Sequence, residues 1–221
     1  MVKDQRIFEK GTHKMNDTLK SSWNAFPKSI AQRYLKSFGH PSQDSQLVLY
    51  EVLEKLGPKP MRLVDLGCGN GNLGEYLTEK GLAFTYTGVD FSDVLLDAAR
   101  EAFPSGNFVC DDVNTLANLH EFFDVACYSH VIEMLPSPES SLRAASRIAK
   151  KIVIRFFEPP AEREDWVELL DMDIGSTHKV PYLRRRMSLD YYRLILSKID
   201  CKQVDIYRST SKDQIHVLHF S

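Results

Sequence analysis

The chain has 221 residues, of which 43% are hydrophobic and 26% are charged. This balance is typical of one globular domain and excludes a collagenous chain or one that is disordered throughout. The formal charge of −2 at pH 7 provides no overall basic field, so we expect no nucleic acid as a partner.

Cysteine usage and the lengths of the apolar runs indicate the compartment. The four cysteines form no CxxC pair and show no spacing expected of a zinc site or a disulfide framework. The first residues mix charges of both signs without the apolar run of a signal peptide, and charges interrupt every apolar run before about 18 residues. The sequence predicts a cytoplasmic protein with reduced thiols and no membrane partner.

Short apolar strands alternate with amphipathic helices along most of the chain. A first helix carries Leu49, Val52 and Leu53 on one face and stops at Gly57. Strands are predicted at 63–66, 84–89, 107–110, 123–128 and 151–157, with helices starting behind Ser92 and Ser137. The alternation predicts an α/β fold with a mostly parallel sheet covered by helices on both faces.

The C-terminal part departs from this alternation. Ser188 is placed to cap a helix with Tyr192, Ile195 and Ile199 on one face. Two strand-like runs, around 204–206 and over 215–220, are joined by a short turn at 210–213. This arrangement predicts an antiparallel hairpin.

Closely spaced glycines follow the first strand. Gly67, Gly69 and Gly71 precede a helix start, so backbone can approach a ligand closely and free N–H groups favour a carboxylate or phosphate. Asp90 ends the second strand, where its carboxylate is placed to accept two ribose hydroxyls. A nicotinamide dinucleotide site is the alternative, although Asn72 stands where that motif has its third glycine.

The sequence around this turn resembles the class I S-adenosylmethionine-dependent methyltransferases. Residues 64–69 match their first motif and 88–92 their second, while 109–113 and 123–133 resemble the third and the fourth-strand motif of the small-molecule branch. The resemblance implies a Rossmann-like, seven-stranded, mostly parallel sheet in the order 3-2-1-4-5-7-6. It also implies one methyltransferase domain over 1–221, with a helical lid or extension at 1–41, a catalytic core at 42–221 and a substrate-contacting insertion at 158–187.

The resemblance assigns S-adenosylmethionine as cofactor and S-adenosylhomocysteine as its product. A carboxylate after the third strand would receive the adenine amino group, and Asp112 aligns with that position better than the alternative, Asp111. The expected cofactor contacts are Asp65, Gly67, Cys68, Gly69, Asn70, Gly71, Asp90, Phe91, Asp111, Asp112, Val113, Tyr128 and Ser129.

Methyl transfer from a sulfonium is an in-line displacement with a neutral leaving group, so the protein mainly aligns the nucleophile, methyl group and sulfur. Where the nucleophile must lose a proton, a positioned histidine or carboxylate takes it. His130 follows the fourth strand at the carboxyl edge, where open parallel sheets bind ligands. It is the first candidate for this base, with packing under the cofactor or helix capping as the alternative, and His178 is the second candidate.

Candidates for acceptor binding lie near the chain start and in the insertion. Trp23, Phe26 and Tyr34 either form a lid or pack in the core, and the arginines at 184–186 either bind a carboxylate or phosphate or form a solvated basic turn. We expect acceptor contacts from Trp23, Tyr34, His130, His178, Tyr182 and Arg184.

The segment after the fourth strand narrows the acceptor class. It reads Tyr128-Ser129-His130-Val131, without the Asn/Asp-Pro-Pro-Tyr signature by which related enzymes hold a nucleobase or glutamine amino group. It also lacks the acidic ligands of metal-dependent catechol-type relatives, so we expect no metal. The remaining acceptor is a small molecule, acidic if the arginines bind it, that is methylated on oxygen or nitrogen. An RNA or protein substrate and a non-catalytic S-adenosylmethionine-binding partner domain are the alternatives, and the oligomeric state stays open.

Overall fold

The computed structural model describes residues 23–24, 27–29, 31, 44–173 and 179–220. Its helices are α1 (Asp44–Lys55), α2 (Asn72–Glu79), α3 (Asp93–Ala102), α4 (Pro138–Ile148) and α5 (Leu189–Lys198), with a 3₁₀ turn at Ile132–Met134. Its strands are β1 (Met61–Leu66), β2 (Phe84–Asp90), β3 (Asn107–Cys110), β4 (Phe123–Ser129), β5 (Ala149–Phe156), β6 (Trp166–Asp173), β7 (Lys179–Arg186), β8 (Gln203–Arg208) and β9 (Gln214–His219).

Several helices begin at the polar residues that predicted them. The Ser92 hydroxyl accepts a hydrogen bond from the Leu95 N–H at 3.4 Å at the start of α3, and the Ser188 hydroxyl accepts one from Tyr191 at 3.1 Å at the start of α5. α4 begins with Pro138, whose missing N–H has no partner to lose at a helix start. These caps fix where the chain leaves the sheet edge and turns back.

Seven strands form one sheet in the order β3-β2-β1-β4-β5-β9-β8. Counting β8 and β9 as the sixth and seventh strands of this sheet, the order is the predicted 3-2-1-4-5-7-6, which is confirmed. β1 to β5 are parallel, and β9 runs antiparallel between β5 and β8, with Gln214 opposite Phe156. The β8–β9 turn therefore lies at the same edge as the carboxyl ends of the parallel strands.

The two faces of the sheet bury separate apolar clusters. Alternation along β1 turns Leu63 to one face and Val64 to the other. The Leu63 face packs against α1, α2 and α3, and the Val64 face packs against α4 and α5. Within the described ranges, no helix combines the length and apolar character needed to cross a bilayer.

The segment between β5 and α5 forms a second, two-stranded sheet. β6 and β7 pair antiparallel, with Trp166 opposite Arg186 and Asp173 opposite Lys179. β7 packs against the 3₁₀ turn that follows β4. We call residues 166–173 and 179–186 the ribbon. The segment pairs with itself and lies against the chain just after β4.

Candidate active site

The turn between β1 and α2 has a backbone that favours glycine. Gly67, Gly69 and Gly71 have φ values of +80°, +54° and +80°, in the left-handed region that other residues rarely adopt. The Gly67 N–H donates to the Val89 carbonyl at 2.8 Å, which fixes the turn to the end of β2. A Cβ on Gly67 would lie 2.7 Å from Val131 Cγ2. The turn is therefore pressed against the chain just after β4, with no room for a side chain.

Asp90 lies beside this turn with its carboxylate held by backbone. Its Oδ2 accepts a hydrogen bond from the Gly69 N–H at 3.0 Å, and its Oδ1 accepts one from the Ser92 N–H at 3.0 Å. Burial raises the pKa of Asp90, and these N–H donors oppose that rise. Because a carboxylate has about four lone-pair sites, the group is fixed in place and retains capacity for hydroxyl donors.

Asp65 lies in β1 beneath the glycine turn, and its carboxylate is hydrogen-bonded to a residue of the core. It is 2% exposed, and its Oδ2 accepts a hydrogen bond from the Tyr86 hydroxyl at 2.7 Å. Burial raises the pKa of Asp65 to about 7, although the Tyr86 bond opposes the rise. Cys68 is also buried, and burial raises the pKa of its thiol. Both side chains support the turn from beneath.

The described N-terminal residues pack near the same turn. The buried Asn70 amide donates to the Ala31 carbonyl at 3.4 Å, and the Ser92 hydroxyl donates to the Trp23 carbonyl at 3.1 Å. Trp23 packs against Leu95 and its neighbours on α3. The described contacts of Trp23 are thus those of the core-packing alternative, while Phe26 and Tyr34 lie outside the described residues.

The two aspartates after β3 have different surroundings. The Asp111 carboxylate is buried and accepts hydrogen bonds from the N–H groups of Asp112 and Asn118, both at 2.7 Å. It holds the 111–118 loop in shape. Asp112 is half-buried, with Oδ1 accepting from the Asn114 N–H at 2.9 Å. Asp112 is thus the more accessible of the two at the position predicted for the adenine contact.

Of the other residues predicted to contact the cofactor, some lie at the carboxyl edge of the sheet and some in the core. Phe91 is half-buried, whereas Val113 is buried and its carbonyl accepts from the Ser141 hydroxyl at 2.9 Å. Tyr128 is fully buried, and its hydroxyl donates to the Ser141 carbonyl at 3.0 Å. A cofactor contact by the Tyr128 side chain is therefore corrected, because alternation along β4 turns it to the α4 face. Ser129 lies half-buried at the edge.

His130 follows β4 in a left-handed conformation with φ of +59°. Its Nε2 lies 3.0 Å from Asp213 Oδ2, and its ring meets the Phe157 ring edge-on with centroids 5.7 Å apart. The side chain is 20% exposed. Burial lowers the pKa of His130, the Asp213 carboxylate opposes that shift, and the nearby Arg155 charge adds to it. The imidazole is therefore neutral at pH 7 and held at the carboxyl edge.

Three residues that the sequence did not point to complete this cluster. The Ser45 hydroxyl donates to Asp213 Oδ2 at 2.6 Å, and the buried Arg155 guanidinium donates to the Ser45 hydroxyl at 2.7 Å through Nη2. Arg155 Nε also lies 3.6 Å from Asp213 Oδ2. We call Ser45, His130, Arg155 and Asp213 the polar cluster. The only signal for it in the sequence was the predicted hairpin, whose turn the sheet order brings to this edge.

Glu133 lies one 3₁₀ turn after His130 and is completely buried. Its Oε1 accepts hydrogen bonds from the N–H groups of Phe157 at 2.7 Å and Glu158 at 3.2 Å, while Oε2 has no hydrogen-bond partner among the residues that the structure describes. Burial raises the pKa of Glu133 to about 8, against the effect of these N–H donors. The carboxyl group is therefore protonated at pH 7 and ties the end of β5 to the segment after β4.

The arginine run lies in β7 and is already paired with carboxylates. Arg184 bonds to Glu158 Oε1, and Arg186 Nε donates to Glu158 Oε2 at 3.0 Å. Arg185 is buried and donates to Asp165 at 2.7 Å. The reading of this run as a turn is corrected, because the three arginines lie in a strand and each has a carboxylate partner. The role of Arg184 in acceptor binding stays a prediction.

The remaining predicted residues add little to the site. Tyr182 is half-buried in β7 opposite Leu170, and His178 lies outside the described residues. In the part of the chain that the structure describes, no group of three or more His, Cys, Asp or Glu side chains is arranged to hold a metal ion.

The sheet order, the glycine turn after β1 and the acidic residue ending β2 define the fold of the class I S-adenosylmethionine-dependent methyltransferases. Residues 64–154 match a family model described as a methyltransferase domain. The resemblance of this chain to that class is thereby confirmed.

Solved structures show the same fold. An S-adenosylmethionine-dependent methyltransferase from Clostridium acetobutylicum aligns with a TM-score of 0.62 at 14% identity, over 87% of this chain and 98% of that one. CalS10, an amino pentose methyltransferase from Micromonospora echinaspora, aligns with a TM-score of 0.63 at 15% identity, over 85% and 96% of the two chains.

Curated relatives are more similar in sequence and cover less of the chain. A ubiquinone biosynthesis O-methyltransferase of Coxiella burnetii is 24% identical over 67% of this chain and 61% of its own length. A trans-aconitate 2-methyltransferase of Variovorax paradoxus is 33% identical over 53% and 42%. The match thus spans about three fifths or less of these relatives.

Proposed function

We propose that this chain is an enzyme that transfers a methyl group from S-adenosylmethionine to an oxygen or nitrogen atom of a small molecule, without a metal. The observation that carries the proposal is the Asp90 carboxylate, fixed by the N–H of Ser92 and by the N–H of Gly69 on the glycine turn, which has no room for a side chain at Gly67. The matched family and the shared fold support it.

The donor fits the residues at the edge of β1, β2 and β3. Asp90 would hold the ribose hydroxyls, the turn at 67–71 would bring backbone next to the amino-acid part, and Asp112 would receive the adenine amino group. When bound, S-adenosylmethionine supplies a methyl group on a positively charged sulfur. The chain itself then has to align the acceptor with that methyl group and keep water from competing.

His130 is the described side chain best suited to take a proton from the acceptor. Its imidazole lies at the carboxyl edge, is neutral at pH 7 because burial lowers its pKa, and adjoins Val131, which presses on Gly67. The predicted second base, His178, stays a prediction. Acceptors that already carry a free lone pair would need His130 less than phenols or ammonium groups do.

The acceptor is proposed to be a small molecule because relatives that match this chain are named for ubiquinone biosynthesis and trans-aconitate. An acidic acceptor has less support, since all three arginines are already paired with two carboxylates, Glu158 and Asp165. The same pairing reduces the local positive charge that an RNA substrate would use. Tyr182 and the ribbon remain proposed acceptor contacts.

We propose that residues 1–221 form one methyltransferase domain, in which the ribbon is the substrate-contacting insertion. All four cysteines are free of disulfides. This state supports the proposed cytoplasmic location, where thiols are kept reduced.

Calorimetry with S-adenosylmethionine and, separately, with NAD tests the donor site. We expect micromolar binding of S-adenosylmethionine that weakens at least about 100-fold, roughly 3 kcal/mol, in Asp90→Ala. The control is Asp97→Ala, which removes an exposed carboxylate on α3 that pairs with Arg100 and should bind normally. Binding of NAD in place of S-adenosylmethionine would overturn the assignment.

Catalysis needs a separate assay, because a domain can bind the donor without using it. Release of S-adenosylhomocysteine should depend on an added acceptor when the protein is screened with phenols, carboxylic acids and amines. Donor binding without acceptor-dependent release across RNA, protein and small-molecule panels would favour a non-catalytic partner domain.

A further inference from the structure

We propose that Asp213 is the positioning residue that holds the His130 imidazole with its proton on Nε2 and leaves Nδ1 as the proton acceptor in methyl transfer. This inference rests on the proposed function and names a residue at the other end of the chain that the sequence did not point to. The distance of 3.0 Å between His130 Nε2 and Asp213 Oδ2 carries it.

Asp213 is held so that it can act only as an acceptor. The Ser45 hydroxyl donates to Oδ2 at 2.6 Å, and Arg155 Nε lies 3.6 Å from the same oxygen. Burial raises the pKa of Asp213, but the bonds to His130 and Ser45 and the Arg155 charge together lower it below its usual value. An ionised carboxylate has no proton to give, so the hydrogen of the pair must lie on Nε2.

The remaining ring nitrogen is then the one with a lone pair. Nδ1 makes no hydrogen bond to any residue in the described ranges, and the His130 side chain keeps 20% of its surface exposed. The ring cannot turn freely, because Phe157 packs edge-on against it and the His130 N–H donates to the Arg155 carbonyl at 2.9 Å. A non-glycine residue at φ +59° is itself an uncommon, strained conformation that the surroundings must maintain.

The position of the pair relates it to the donor. Val131 follows His130 directly and fills the space against Gly67, so the imidazole is attached to the chain that touches the glycine turn. The polar groups around this imidazole come from four elements. They are Arg155 in β5, Asp213 in the β8–β9 turn, Ser45 in α1 and Glu133 in the 3₁₀ turn. Glu133 acts on the charge of Asp213 only when Glu133 itself is ionised.

Methyl transfer and proton transfer occur together at the acceptor atom. The acceptor O–H or N–H gives its proton to His130 Nδ1 while its electron pair forms a bond to the methyl carbon. The methyl–sulfur bond breaks with its electrons going to sulfur, which leaves neutral S-adenosylhomocysteine. The imidazolium formed carries one proton on each nitrogen, is stabilised by the Asp213 carboxylate and returns the Nδ1 proton to solvent.

Nitrogen-15 NMR of histidine-labelled protein tests the pairing without any acceptor. The His130 resonances are assigned by their absence in His130→Ala, and the sample is titrated alone and with S-adenosylhomocysteine. We expect a neutral ring with Nε2 protonated and Nδ1 bare, and a His130 pKa that falls in Asp213→Asn because the carboxylate that favours imidazolium is gone. Protonation on Nδ1, or an unchanged pKa in Asp213→Asn, would overturn the inference.

The chain contains a matched control for this substitution. Asp205 bonds His219 Nε2 at 2.9 Å in the same hairpin, but at the end of β9 that lies away from the carboxyl edge. Asp205→Asn should leave the His130 resonances unmoved. Asn at 213 keeps acceptor oxygen for Ser45 and Arg155, so the variant is expected to fold, which circular dichroism checks.

The transfer assay with a phenol or amine that passes the screen gives the second readout. We expect kcat to fall at least about tenfold in Asp213→Asn, with the acidic limb of its pH profile moved to lower pH and donor affinity unchanged. Normal kcat with an unmoved limb would overturn the inference. Failure of the proposed function is distinguishable, because it appears as lost S-adenosylmethionine binding in the unsubstituted protein.

Discussion

The carboxyl edge of the sheet has two halves that are built in different ways. The donor half, over β1 to β3, takes its turn and its fixed carboxylate from residues 67–90, which are close in sequence. The half beyond β4 is assembled from the polar cluster, in which Ser45 and Asp213 are 168 residues apart. A site whose backbone conformation is set by neighbouring residues therefore leaves a sequence motif. A site whose residues are brought together only by the order of the strands leaves none.

Each half contains a buried carboxyl group, and Glu133 gives the larger expected effect. Its pKa rises from 4.5 to about 8 on folding, so the folded state favours the protonated form. This contribution to folding stability is fully present below pH 4.5 and is lost as pH rises through 8, by on the order of 5 kcal/mol. Glu133→Gln, which imitates the protonated group, should remove this slope in urea titrations between pH 5 and 9.

Glu139→Gln is the control for this measurement, since Glu139 is half-buried and paired with Arg143 and Lys198. A pH slope that persists in Glu133→Gln would show that the half beyond β4 does not depend on a neutral Glu133.

Asp65 is the corresponding group in the donor half. Its pKa rises from 3.8 to about 7, so folding stability is lost as pH rises through those values, by on the order of 4 kcal/mol. Asp65→Asn should flatten the stability profile over that range. Tyr86→Phe should steepen it, because the Tyr86 hydroxyl opposes the rise in pKa. Equal profiles for Asp65→Asn and the unsubstituted protein would contradict the assignment.

Gly67→Ala tests the contact between the glycine turn in the donor half and Val131 in the half beyond β4. The added Cβ would meet Val131 at 2.7 Å with φ at +80°, so we expect S-adenosylmethionine to bind about 100-fold more weakly, roughly 3 kcal/mol. Gly81→Ala is the matched control, because Gly81 has φ of +77° and open space around the added atom. It should lose only the backbone term of roughly 1–2 kcal/mol in folding stability.

Val131→Ala combined with Gly67→Ala should recover part of the lost affinity, since it removes the clash and leaves the backbone strain. No recovery in calorimetry would show that the turn, rather than its contact with the chain after β4, limits donor binding.

The smallest expected effect concerns the ribbon. Pairing with Arg184 and Arg186 lowers the pKa of Glu158 against the effect of burial. The pairing therefore contributes to folding stability above pH 4.5, and this contribution is lost as pH falls through the lowered pKa. Because Arg186 is 43% exposed and Arg184 is 26% exposed, Glu158→Gln should cost only about 1 kcal/mol. Thermal melts at pH 7 and pH 3 measure it, and an equal cost at both would rule out the charge pairing.

Much of the fold followed from local chemistry. Alternating apolar runs, the Ser92 and Ser188 caps and the three glycines each impose a backbone conformation on their own neighbourhood, and the structure has those conformations. The position of Asp90 at the end of β2 was predicted for the same reason. Its role in binding ribose, like every assigned site role, remains a prediction.

The parts that were not foreseen depend on contacts with no local signal. Tyr128 belongs to a matched motif, but strand alternation turns its side chain to α4. The arginine run reads as a basic turn, but it lies in β7 and pairs with Glu158 and Asp165 from the segment between β5 and β6. Asp213 reads as an ordinary turn residue until β9 inserts beside β5.

The link between α1 and the β8–β9 turn also has a consequence for the order of folding. Ser45 bonds Asp213, and Asp44 bonds the Thr210 N–H across 166 residues. Closing a loop of this length costs conformational entropy, which is offset only by the free energy of the contacts that form after closure. During synthesis from the N-terminus, the glycine turn and Asp90 are available long before residue 213 emerges. We therefore expect the donor half to be organised first, and the His130 imidazole to acquire its carboxylate partner only after residue 213 has been synthesised.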